Sequence, residues 1–247
     1  MISLGVRVYG LGALALGLVG LAWGDFALVW QPVPQGLPGR TALAYAVAAA
    51  LALAGAALNL KRTAAAGAAV LAALYGLGVI LLHAPLVAAH PLTFGTWQGV
   101  AEQLALVAGG AVAWASVASL GAAPAGRVRR IGQLTFGACL VVFGLAHFFY
   151  LKFTASMVPH WLPPGQAFWA YATGAAHIAA GLAILSGVQA RLAAILLTVM
   201  FAVFGALVHA PLLLADHTSH LNWAGNAINL ALTGAAWVIA DSFARRG

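Results

Sequence analysis

The sequence predicts an all-α fold, a polytopic integral membrane protein with eight transmembrane helices arranged as two parallel four-helix repeats. Three observations carry that prediction. Of 247 residues, 64% are hydrophobic and 6% charged, and mean hydropathy is +0.99; soluble globular domains do not have this composition. The apolar residues fall in blocks about twenty long, the length a helix needs to cross a hydrocarbon core roughly 30 Å thick, and not in the alternating segments of a barrel. Finally, His83-Ala84-Pro85-Leu86 recurs as His209-Ala210-Pro211-Leu212, an offset of 126.

By hydrophobic length the spans lie near 3–24, 41–60, 65–88, 98–119, 130–151, 166–187, 190–214 and 222–243. The first, with Arg7 ahead of an apolar stretch, has the outline of a secretory signal peptide. The repeat assigns it otherwise. Without a gap, the same offset places Pro38-Gly39 on Pro164-Gly165, and Tyr45, Gly55, Trp97 and Gly99 on Tyr171, Gly181, Trp223 and Gly225. The first span then corresponds to the internal fifth and is a mature helix. The units are 1–121 and 127–247, and an even number of helices in each relates them by an axis along the membrane normal.

The connections are too short for a soluble catalytic domain, so any chemistry sits among the helices or at their ends. Arg7, Lys61, Arg62, Arg127, Arg129, Arg130, Arg191, Arg245 and Arg246 lie at the termini and even-numbered connections, and only Arg40 and Lys152 lie on the other side. By the positive-inside rule both termini are cytoplasmic, as in a multi-pass protein of a bacterial inner membrane. The net charge of +7 therefore reports orientation and not a nucleic-acid partner; the expected partners are the lipid bilayer and other subunits of a membrane complex. Trp23, Trp30, Trp97, Trp161, Trp169 and Trp223 gather near the opposite face as an interfacial belt.

Cys139 is the only cysteine, which excludes a disulfide framework, a cysteine zinc site and a dithiol redox pair. No Ser-His-acid triad, glycine-rich phosphate loop or paired carboxylates can be read, so hydrolase and phosphoryl-transfer chemistry are disfavoured.

Ionisable groups inside a membrane are costly and ask for a reason. His83, His147 and His209 are expected four or five residues below the outer ends of their helices, as neutral imidazoles close to the headgroups or, for His83 and His209, bonded to carbonyls freed by the nearby prolines. His177 is expected near the bilayer middle, and Glu102 sits on the fourth span. On the uniform offset His147 corresponds to Leu21, His177 to Leu51 and Asn226 to Val100, so the polar set belongs to the second unit. His147, His177, His209 and Asn226 come from four helices and are expected to converge on one cofactor cavity. Such histidines suit copper, zinc or haem, or the carbonyl of a quinone. A weaker metal candidate is His217 with His220 in the loop from Asp216, two histidines three apart beside a carboxylate.

The second unit resembles a DoxX-type four-helix membrane domain. The residues that carry the resemblance are Arg130 with Gly132, Gly144-Leu145-Ala146-His147, Met157-Val158-Pro159-His160-Trp161-Leu162-Pro163, Tyr171-Ala172-Thr173-Gly174, Ala180-Gly181-Leu182 and Arg191-Leu192-Ala193-Ala194. It covers nearly all of 127–243 and reaches the first half through the repeat. In one departure, His177 stands where the family often has an acidic residue. The resemblance implies a redox-associated membrane subunit, linked to quinone-dependent sulfur and terminal oxidase systems. Residues and resemblance together lead to a quinone- or metal-binding subunit of a redox assembly. A non-enzymatic binder or transporter of a small apolar molecule, or a structural subunit, are the alternatives.

Overall fold

A computed structural model describes residues 2–244. Eight helices are long and apolar enough to cross a membrane: α1 (Leu4–Trp23), α2 (Arg40–Leu58), α3 (Ala64–Ala89), α4 (Phe94–Val117), α5 (Ala122–Phe149), α6 (Gln166–Ser186), α7 (Ala190–Ala215) and α8 (His220–Ala244). No strand occurs among the described residues. Arg245 and Arg246, part of the charge asymmetry, lie outside them. Local signals set several ends. The Ser3 side chain accepts from the Val6 amide at the start of α1, and Gly24 closes α1 at φ +61, a conformation open to glycine.

The fifth span was expected to begin near residue 130, but α5 starts at Ala122. Its 28 residues rise about 42 Å, more than a hydrocarbon core requires, so the turns bearing Arg127 and Arg129 continue the helix past the apolar block. Arg130 sits at the same end, its guanidinium donating to the Leu185 carbonyl at the close of α6 (3.4 Å).

Packing follows small residues, as expected where lipid removes the hydrophobic drive between helices and close backbone approach gains importance. Neighbours in sequence pack in turn, α1 with α2 through to α7 with α8, α8 closes the ring on α1, and α4 meets α8 at the centre. Within either half the first and fourth helices, α1 with α4 and α5 with α8, touch little.

Close approaches recur in both halves. A Cβ at Gly10 would meet the Gly55 carbonyl and one at Gly17 would meet Ala48 and Ala52; Gly137 faces the Gly181 carbonyl in the same way, and Gly144 faces Gly174 and Ile178. Gly5 lies against Val238, and Gly132 against Val112. These pairs correct the uniform offset. From α2 onward the halves match at 126, but α1 matches α5 at 127. The counterpart of His147 is therefore Gly20, not Leu21: Gly20 backs onto Ala48 as His147 backs onto Gly174. The one-residue slip falls in the connection between the first and second helices of each half.

In both halves the helix widens into a π turn just before Ala-Pro, at Val79–His83 and at Gly205–His209. Proline has no N–H and its ring crowds the preceding turn, and a π turn relieves that crowding.

Candidate functional site

Helical side chains lean toward the N-terminus of their own helix. α5 and α6 run antiparallel, so His147 on α5 and His177 on α6 lean in opposite directions along the bundle, and the two imidazoles meet. Their ring centroids lie 5.1 Å apart at 37°. Gly144 and Gly174 allow this, each being a position where a Cβ would strike the opposite helix or the His147 Cβ.

His147 was expected just below the outer surface. It lies against Gly174, eight residues into α6 from Gln166. α5 stops at Phe149, so His147 lies nearer the end of its own helix than Gly174 lies to the start of α6.

Each imidazole bonds its own helix. His177 Nδ1 lies 2.8 Å from the Thr173 carbonyl and His147 Nδ1 lies 3.0 Å from the Phe143 carbonyl. A carbonyl only accepts, so both Nδ1 atoms carry the proton and both Nε2 atoms keep a lone pair. Among the described residues neither Nε2 makes a hydrogen bond. The walls are aromatic: Phe143, Phe201 and Phe204 stand 6.1, 5.5 and 6.1 Å from the His177 ring. His177 is 2% exposed, with His147 half-buried beside it. The arrangement is an apolar box holding two acceptors and no donor. A ligand there would have to supply hydrogen-bond donors or be a metal ion. A haem sandwiched between the rings does not fit: two axial nitrogens each about 2 Å from a metal would hold the ring centres farther apart than 5.1 Å.

The other two predicted residues do not join this pair. The Asn226 amide donates to the His209 carbonyl (2.8 Å) and the Asn222 carbonyl (2.9 Å), fastening α8 to the π turn of α7. The His209 ring lies beside Gly225, with the Trp30 ring against the same glycine. In the weaker candidate, His217 accepts the Trp223 indole at its carbonyl, and His220 stacks on Trp23 at 5.0 Å. Asp216 accepts from the Thr218 hydroxyl and amide, which hold its carboxyl below the usual range. No cluster of three or more metal-ligating residues forms among the described residues.

Trp30 departs from the interfacial belt. The segment after α1 turns back into the bundle, burying Phe26 and Ala27, and the Trp30 carbonyl accepts from His83 Nε2 (3.2 Å) and Gln103 Nε2 (2.9 Å). His83 thus bonds a loop carbonyl, not one freed by Pro85. Gln98 donates to Glu102 at 3.2 Å. Trp97, Trp169 and Trp223 each donate the indole N–H to a carbonyl six residues earlier, in the connection that precedes the helix. Sequence reasoning missed the phenylalanine box; Phe201 and Phe204, three apart on α7, were its only trace.

A family model described as a domain of unknown function (DUF8561) matches residues 136–240, from the middle of α5 into α8. No curated protein and no solved structure matches the chain.

Proposed function

We propose that this chain is a quinol-binding membrane subunit of a redox assembly, taking its ligand between α5, α6 and α7. The observation that carries the reading is the pair of unprotonated Nε2 atoms of His147 and His177 in a box of phenylalanines. Two acceptors match the hydroxyls of a reduced quinone, whereas the carbonyls of the oxidised form would find no donor there. The apolar walls match its ring, and the bilayer supplies such molecules directly. The DoxX-like motifs of the second unit support a redox-linked setting. A single copper(I) ion held by the two lone pairs at an angle is the second reading, favoured by two imidazoles whose centroids lie 5.1 Å apart.

The matched approaches at offsets of 127 and 126 support two parallel four-helix repeats about an axis along the membrane normal, with α4 and α8 on that axis. The concentration of Lys and Arg on one face supports cytoplasmic termini in a bacterial inner membrane.

The test is to purify the protein in mild detergent, record its visible spectrum and metal content, and identify an organic extract by mass spectrometry. A stoichiometric quinol lost in His177→Leu supports the reading. Stoichiometric copper would replace the quinol by the metal, and bulk lipid alone would end both.

A further inference from the structure

We infer that α1–α4 hold a second ligand site, beside Tyr75, for a molecule about one aromatic ring in size that carries a hydrogen-bond acceptor. Matching the halves by their packing contacts superposes the surroundings of His177 on known positions in the first half. Phe143 corresponds to Leu16, His177 to Leu51, Phe201 to Tyr75 and Phe204 to Gly78. The backbone context is the same in both, since Gly78 and Phe204 each immediately precede the π turn. Leu16 and Leu51 are each 2% exposed and Tyr75 is 4% exposed, so these residues line an interior position as their counterparts do.

Two observations point to an occupant. Where the second half places the phenyl ring of Phe204, the first has only a hydrogen, and a Cβ added at Gly78 would meet nothing closer than Gln103 Oε1 at 3.8 Å. The Tyr75 hydroxyl is buried and finds no hydrogen-bond partner among the described residues. A buried donor without an acceptor is costly and rare in folded proteins. The nearby Tyr9, with ring centroids 6.4 Å apart, does not relieve it, because Tyr9 donates to the Leu106 carbonyl. Gly78 is only partly buried, on a helix with Leu77 and Ile80 exposed on its apolar outer surface. That gives a hydrophobic solute a way in from the bilayer. The site complements the histidine pair: Tyr75 offers a donor where His147 and His177 offer acceptors. The inference does not depend on what the histidines bind.

The experiment places the whole protein in lipid nanodiscs and measures saturable uptake of acetophenone, which has a carbonyl, against ethylbenzene, which has none. One hydrogen bond predicts about tenfold tighter binding of acetophenone. Tyr75→Phe, which installs the residue of the second half, should keep ethylbenzene binding and abolish that preference. Gly78→Phe installs the missing ring and should exclude both probes; if that variant does not elute as a folded species, Gly78→Leu serves in its place. Absence of saturable uptake by the wild-type protein, or uptake unchanged by filling Gly78, overturns the inference.

Discussion

The Tyr9 hydroxyl donates to the Leu106 carbonyl across 2.7 Å, joining two helices, α1 and α4, that otherwise touch little. The matching position on α5 is Phe136, and both rings are fully buried, so the packing around this position accepts a phenyl without the hydroxyl. Tyr9→Phe should therefore lose one hydrogen bond and nothing else, lowering stability by about 1 kcal/mol. Thermal unfolding in detergent reads this as a modest fall in Tm, and loss of folded protein would show that the hydroxyl does more.

α1 packs tightly on α8 at Gly234, where an added Cβ would collide with the backbone of Tyr9. Backbone cannot move aside as a side-chain end can. Gly234→Leu should push the helices apart and remove the monodisperse peak in size-exclusion chromatography. Gly126 has nothing within 4 Å of an added Cβ and lies in α5, so Gly126→Ala should be neutral or stabilising by about 0.5 kcal/mol. Equal behaviour of the two variants would refute the packing account.

Asn226 was expected to face a ligand, and the structure gives it a fastening role on the backbone of α7 and α8. Asn226→Leu should lower stability by about 1 kcal/mol, in the range of interhelical hydrogen bonds in membranes, without changing what co-purifies. Loss of the bound species at unchanged Tm would restore Asn226 to the site.

The eight apolar helices were legible because apolar length alone sets them. The slip between α1 and α5 was not legible. Both helices are runs of Gly, Ala and Leu in which neighbouring registers look alike, and only contacts such as Gly5 with Val238 and Gly132 with Val112 separate them. His147 and His177 could be named as candidates, but their meeting depends on the relative heights of α5 and α6, which no single helix encodes. The folding of Trp30 into the bundle was equally hidden, since a tryptophan after a span reads as an interfacial anchor.

Asp216, in the loop before α8, accepts from the Thr218 amide and hydroxyl, and these bonds depress its carboxyl. The sign follows from linkage: the charged form is favoured in the folded loop, so the turn is reinforced above the ordinary carboxylate range and the reinforcement is lost as pH falls through the depressed value. A carboxyl-carbon NMR titration should find Asp216 ionising at lower pH than a free aspartate, with the Thr218 amide exchanging faster once it is protonated. An ordinary aspartate titration would contradict these bonds.

His177→Leu separates a binding role from a structural one. The substitution installs the residue of the matching position in the first half, Leu51, which is buried to the same 2%. It removes the Nδ1 bond to the Thr173 carbonyl, but that carbonyl lies within α6 and also has a main-chain partner available. It also removes an Nε2 that no donor among the described residues satisfies. Leucine among Phe143, Phe201 and Phe204 exchanges a polar ring for apolar contacts at a position only 2% exposed. Stability should hence stay within about 1 kcal/mol of wild type, while the ligand extracted from the protein disappears. If His177 served only to fasten helices, the same variant would lower Tm and leave the co-purifying species untouched. Measuring both quantities on one preparation decides between them.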